Sequence, residues 1–322
     1  MKQFRNLLAV ALLVVATVAS AQEYPVKPIR LIVPWAPGGG ADILARLLAP
    51  KLGEAFGQPV YVENKPGATG TVGTDYVSKS APDGYTLLLG NNSTYVIAVG
   101  LYNKLPYDPE KGLTPISRVD EVPHILAVNP TVPAKSMAEL IALAKTKPGE
   151  IPYGSSGSGS TPHVAGEMFM YVTGTKFLHV PYKGSGPSLA DTVAGNVLVS
   201  FDTLPSVLQF VQAGRLRALA VMGPKRVSAL PDLPTTTELG FPGAEGVTWY
   251  GLYGPPGLPP AIVRKLHDEI AKVVKQPDVK ARLETFGAIE TASIPTEEFS
   301  AGVKSEIDRY SKMLQAAGVP KE

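Results

Sequence analysis

The sequence predicts an α/β protein with parallel sheets, on three observations. Short apolar runs and segments with helical apolar spacing alternate along almost the whole chain of 322 residues, which is the pattern of strand–helix units. The run IRLIV (29–33) passes through PWAPGGGAD (34–42) into ILARLLAPKLGEAF (43–56), giving a strand, a triple-glycine loop and a helix in that order. The stretch IPYGSSGSGSTPH (151–163) makes the same passage into VAGEMFMYVTG (164–174).

The elements follow in order. MKQFRNLLAVALLVVATVASA (1–21) has Lys2 and Arg5 before an apolar stretch from Leu7 to Val18, and ends Ala19-Ser20-Ala21. This is the signature of a secretory leader cleaved after Ala21, and it is set aside from the fold. PVYVEN (59–64), a helical TVGTDYVSKSA (71–81) and YTLLLG (85–90) continue the first unit, and a helical or irregular piece leads to LTPISRV (113–119). A second set starts at HILAVNP (124–130) and the helix SMAELIALAKTK (136–147). After the second glycine loop come FLHVPY (177–182), PSLADTVAG (187–195), VLVSFDT (197–203), a helix at 205–213 and LRALAVMG (216–223). Proline and glycine crowd residues 224–260, where a linker or a return crossing belongs. Three helical stretches, at 260–276, 278–287 and 295–318, close the chain, the last with a capped start at Thr296-Glu297-Glu298 and a stop at Gly318.

Composition excludes several classes. There is no cysteine, so an exported chain of about 300 residues must rest on its own core and carries no lipid on an N-terminal cysteine. Lys+Arg number 30 and Asp+Glu 28 in the full chain; the leader removes Lys2 and Arg5, leaving 28 against 28. That balance offers no surface for nucleic acid or anionic membrane. A soluble, exported, unanchored protein fits the periplasm, and a monomer is expected. The histidines, at 124, 163, 179 and 267, have no metal spacing.

The glycine loops point to an anion. The first amides of a helix have no partners within it and lie at its positive end, and glycines let them face a ligand. Neither nucleotide motif fits. No glycine is followed by lysine, and in GGGADI the position that should be the third glycine is Ile43. No cofactor is expected. Pro37, Gly38, Gly39, Gly40 and Ala41 are therefore contact candidates in the first loop, and Asp42 sits where an N-cap belongs, its side chain bonding the loop's own amides. In the second loop Ser156, Ser158, Gly159, Ser160 and Thr161 converge on a helix start with Pro162 at a favourable first position. His163 is read as a support or a ligand contact. Asn64, Ser93, Thr94, Tyr182, Asp202 and Thr203 end strands in both halves, where open α/β sheets bind ligands. Trp35 and Tyr182 serve as aromatic cleft walls or stacking faces.

Six fragments carry a family resemblance: YPVKPIRLIVPWAPGGGADILAR, VENKPGATGTVGTDYVSKSAPDGYTLL, YGSSGSGSTPHVAGEMF, VPYKGSGPSLADTVAGNVLVSFD, GRLRALAV and WYGLYGPPGLPPAIVRKL. In this order the chain resembles the periplasmic receptors of tripartite tricarboxylate transporters, the Bug family. The resemblance implies a two-domain periplasmic-binding-protein fold, type II-like, closing as a clamshell on a small carboxylate. It places 22–123 plus 247–322 in one domain and 124–246 in the other. It implies a carboxylate held by loop amides, hydroxyls and waters rather than by an arginine, and delivery to membrane permease subunits. Dicarboxylates, acidic amino acids and aromatic acids all remain open as ligands. Two rivals are an exported hydrolase using Ser158 or Ser160 with His163, and a ligand-sensing subunit of a membrane signalling system. The loop lacks the G-x-S-x-G of a nucleophile elbow in every register.

Overall fold

The computed structural model describes residues 24–289, 296–316 and 321. The expected leader, the capping side chains at Thr296 and Glu297, and the stop at Gly318 lie outside what is described.

Among the described residues, nine strands build two sheets that share one long strand. In the first sheet β1 (Ile29–Val33) lies between β2 (Val60–Asn64) and β3 (Thr86–Asn91), both parallel to it. β9 (Val247–Gly254) then pairs antiparallel with β3 and with the first part of β4 (Thr114–Val128). The second sheet joins the last part of β4 to β7 (Val199–Thr203) and β8 (Arg217–Met222), both antiparallel. β5 (Pro152–Ser155) continues it, parallel to β7 and to β6 (Leu178–Pro181). The sheets are thus mixed rather than parallel, because β4 and β9 run against the strands beside them.

Side-chain alternation explains the layering. Ile29, Leu31 and Val33 of β1 pack with Leu44, Leu48 and Leu52 of α1 (Gly40–Phe56). α8 (Pro260–Val273) and α9 (Pro277–Thr285) close that face through Leu266, Ile270 and Leu283. Ile32 and Leu88 face the other way, onto a π-turn (Ser93–Ile97), α3 (Ala98–Leu101) and α10 (Thr296–Ala316). α2 (Thr71–Ser78) adds Val77 to that face. In the second sheet α4 (Met137–Thr146) and α5 (Thr161–Thr173) cover one side with Leu140 and Phe169. α6 (Ser185–Ala194) and α7 (Leu204–Gln212) cover the other with Leu189 and Val207.

LTPISRV and HILAVNP, read as separate strands, are one strand of fifteen residues. Pro123 obscured this, since proline interrupts an apolar run but tolerates extended backbone. The changeover falls there. Pro123 pairs with Val247 in the first sheet, and the next residue, His124, pairs with Thr203 and Met222 in the second. The chain returns alongside, with the His124 amide donating to Gly246 O (2.9 Å) and the Gly246 amide to Met222 O (2.7 Å). The proline-rich 224–260 stretch therefore holds the central strand β9 as well as a return crossing. The loops that follow β1 and β5 both supply lining residues of one cleft, Gly39 after β1 and Ser156 after β5.

Candidate functional site

The cleft between the sheets is walled by helix starts. α1 begins after Gly39, whose position carries no side-chain cap, and Gly39, Gly40, Ala41 and Asp42 all line the cleft. Its first amides have no intrahelical acceptor. Opposite stand α6, entered from Gly184 without a side-chain cap, and α7, entered from Thr203, also without one. Ser185 and Thr203 line the same space. The starts approach closely: a Cβ on Gly38 would lie 3.5 Å from Gly186 Cα, and one on Gly39 would lie 3.2 Å from Ser185 Cβ. Gly38 itself has φ 88°, a left-handed conformation that glycine adopts without strain.

A charged clasp fixes the first loop. The Gly38 amide donates to Asp42 Oδ2 (3.0 Å), Asn64 Nδ2 donates to Asp42 Oδ1 (2.9 Å), and Arg46 Nε reaches both oxygens (3.1 and 3.0 Å). Asn64 also donates to Trp35 O at 3.0 Å. Burial pushes the Asp42 carboxyl up, but these donors together hold it below the usual carboxylate range. Asp42 is not the N-cap. It stands in the first turn, and its side chain reaches back to the loop, because Gly39 supplies the non-helical backbone of the cap.

The second glycine loop differs from expectation in one respect: most of its donors are already engaged. Gly157 N–H goes to Ser155 Oγ (3.1 Å), Gly159 N–H to His163 Nδ1 (3.0 Å) and Thr161 N–H to Ser93 Oγ (2.9 Å). Ser160 caps α5, accepting from the His163 amide. Ser156 and Thr161 line the cleft, whereas Ser158, Gly159, Ser160 and His163 stand behind it. Ser93 and Thr94 are also set back, with Thr94 Oγ1 donating to Asn91 O at 2.9 Å. The Tyr182 hydroxyl is turned to Asp191 (2.6 Å), away from the lining. Pro37 and Gly38 form the rim against Gly186.

The hydrolase constellation is not assembled. His163 Nδ1 accepts from Gly159, and Nε2 lies 3.4 Å from Glu167 Oε1, so neither ring nitrogen faces Ser158 or Ser160 as a base. His163 stacks on His179 at 4.1 Å, and His179 Nε2 shares a hydrogen bond with Ser155 (2.7 Å). The pair braces the loop from behind.

Five lining residues escaped the sequence as contacts: Asn91, Pro162, Ser185, Thr248 and Tyr250, Pro162 having been read only as a helix start. Ser185 lay in VPYKGSGPSLADTVAGNVLVSFD, a fragment that carried the family resemblance, without being read as a contact itself, and Asn91 lies two residues before the noted Ser93. Thr248 and Tyr250 sit on β9, inside a region read as a linker or a return crossing. Among the lining residues none is Lys, Arg or His. Trp35 Nε1 is buried with no partner among the described residues, leaving a donor free. The jaws are closed over a cavity of about 20 Å³, the room of one water or one carboxylate head group. Hydrogen bonds cross it from Ala36 N to Lys183 O (3.3 Å) and from Thr69 Oγ1 to Ser158 O (2.6 Å). Thr69 holds that bond from φ 52°, an outlying conformation for a β-branched residue.

Residues 44–319 match the sequence model described as the tripartite tricarboxylate transporter family receptor, TctC. The chain belongs to that family. Protein BugT of Bordetella pertussis is 38% identical to this TctC-family chain over 307 residues, covering 94% of it and 93% of BugT. The structure of R. palustris Rpa4515 with adipate superposes with a TM-score of 0.90 at 35% identity, covering 93% of this chain and 100% of that one. MatC from Rhodopseudomonas palustris with bound malate gives 0.84 at 31% identity, covering 90% and 100%. The fold is the two-domain periplasmic-binding-protein clamshell of the TctC receptors. No helix among the described residues is long and apolar enough to cross a membrane.

Proposed function

We propose that this solute receptor binds a small organic carboxylate in the cleft and hands it to the membrane permease subunits of a tripartite transporter. One observation carries the reading: uncapped starts of α1, α6 and α7 meet in a buried space lined by hydroxyls and the Trp35 N–H, with no cationic side chain. A carboxylate satisfies such donors, and hydrogen bonds to a charged group contribute about 1.5–3 kcal/mol each. The protein works as a monomer in the periplasm, exported by its leader. Residues 22–123 plus 247–322 form one lobe and 124–246 the other, with opening at the 123/124 and 246/247 crossings admitting the ligand. The relatives solved with adipate and malate support diacids as the first compounds to try.

A thermal-shift and calorimetric screen of small organic acids tests this. A ligand at about 100 times its Kd adds about 2.7 kcal/mol of apparent stability. Response to esters or amides but to no free acid refutes the reading.

A further inference from the structure

Asp202 poses a problem that the carboxylate reading does not solve. It is the penultimate residue of β7, inside the cleft and 1% exposed. Its Oδ1 accepts the Thr203 amide (2.7 Å) and, more weakly, Thr203 Oγ1 (3.4 Å). Its Oδ2 is buried with no hydrogen-bond partner among the described residues. Arg46, the guanidinium that braces the first loop, is spent on Asp42 and Asn64. An ionised carboxylate here would be an uncompensated buried charge, which is strongly unfavourable, and would repel an acidic ligand entering beside it. Two carboxyls brought together share one proton instead.

We infer that Asp202 acts as a neutral carboxylic acid whose Oδ2–H donates to the ligand carboxylate, so the cleft selects acids that bring no ammonium group to this point. The inference rests on the carboxylate-receptor reading and names its substrate class more closely. The proton belongs on Oδ2 because Oδ1 already accepts from the Thr203 amide. Burial pushes the Asp202 carboxyl up, more than the Thr203 amide and hydroxyl and the hydroxyls of Ser185 and Ser206, which stand near it without forming a hydrogen bond to Oδ2, pull it down. The groups facing it bring no positive charge. From β9 comes the Tyr250 phenol, itself raised by burial; from α1 comes Asp42, already clasped by Arg46. β4 contributes Asp120, raised by burial, and His124, lowered by burial to about 3 and hence neutral. On α5 the ring nitrogens of His163 are engaged with Gly159 and Glu167.

Above the pH at which Asp202 ionises, binding must take up one proton, and affinity falls by up to tenfold per pH unit. An amino-acid ligand would behave oppositely, since its ammonium would need the ionised aspartate. The test is calorimetric titration of the leader-free chain with adipate, malate, glutarate and L-glutamate from pH 5.5 to 9.5, on wild type and Asp202→Asn, with the circular dichroism spectrum and Tm of each recorded. Wild type should bind diacids with a decline in alkali, and prefer glutarate to L-glutamate. Asp202→Asn, whose amide still donates where Oδ2–H did, should bind three- to tenfold more weakly at pH 5.5 and show no such decline. The inference is overturned if the two pH profiles run parallel. It is overturned equally if folded Asp202→Asn loses diacid binding more than a hundredfold, or if wild type prefers L-glutamate and the variant abolishes that preference. Wild type binding no acid at any pH refutes the receptor reading and this inference with it, whereas a failure confined to the Asp202 comparison leaves the receptor reading standing.

Discussion

Gly40→Ala sets local helix propensity against tertiary packing. Gly40 is the first residue of α1, and it is absent from the glycines of positive φ, so its backbone accepts alanine. By propensity the change should stabilise the helix, by at most about 1 kcal/mol. The cleft reverses the sign. A Cβ at Gly40 would stand 2.1 Å from the Tyr250 hydroxyl oxygen, 2.8 Å from Thr203 Oγ1 and 3.2 Å from Tyr250 Cζ. Tyr250 is 2% exposed on the central strand β9, and its hydroxyl rides on a rigid ring. Either the ring or the α1 start must therefore shift by roughly 1 Å, since unforced carbon contacts lie near 3.5–4.0 Å. Overpacking of this kind costs about 1–3 kcal/mol, leaving a net loss of about 1–2 kcal/mol, or roughly 2–3 °C of Tm for about 300 residues. Ligand affinity should fall at least tenfold, because the displaced α1 amides are the proposed donors. Tyr250→Phe removes the colliding oxygen, so the double variant should recover stability beyond additivity by about 1 kcal/mol. Scanning calorimetry and titration of the four proteins decide it. Wild-type Tm and affinity in Gly40→Ala, or strict additivity with Tyr250→Phe, would refute the packing argument.

Three further outcomes are expected. Thr69→Val keeps shape but removes the donor to Ser158 O; at about 0.5–1.5 kcal/mol for such a bond, ligand affinity should drop roughly two- to tenfold, seen as faster dissociation in stopped flow. Asp42→Asn weakens the clasp on Gly38, Arg46 and Asn64, and titration should show affinity falling while the far-ultraviolet spectrum is retained. For pH, His179 is lowered to about 4 and His124 to about 3, chiefly by burial. The unfolded chain binds their protons from about pH 6.5 downward and the native chain does not, so their contribution is intact above that pH and lost as pH falls towards 4 and 3. Asp120 and Asp202, raised by burial, act in the opposite sense. The clean observable is thus a difference: His179→Gln should show a shallower fall of Tm between pH 6.5 and 4 than wild type. An unchanged slope would count against a neutral His179.

Much of the fold was legible because strand–helix alternation is written in local periodicity. β1, β3, α4 and α8 fall within a residue or a few of where their apolar spacing puts them. β9 was not, because a central strand bearing glycine and tyrosine amid prolines has no period-2 signature. The site divided along the same line. Glycines 38–40 with Asp42 announced a helix start free to face an anion, and that is local chemistry. Which helix starts oppose it was not local. The second glycine loop offered several hydroxyls and amides at one helix start, yet Ser93, Ser155 and His163 consume amides of it, while α6 at Ser185 supplies the facing start.

By itself the sequence determined the α/β alternation, the glycine loops and the lack of any cation within them, since these depend on neighbouring residues along the chain. Only the tertiary structure decided which donors stay free, that β4 and β9 carry the chain between the sheets, and that Asp202 is left with a bare oxygen in the cleft. Hydrogen-bond satisfaction is settled by partners remote in sequence: Ser93 meets Thr161 and Thr69 meets Ser158 only once both sheets have folded against each other.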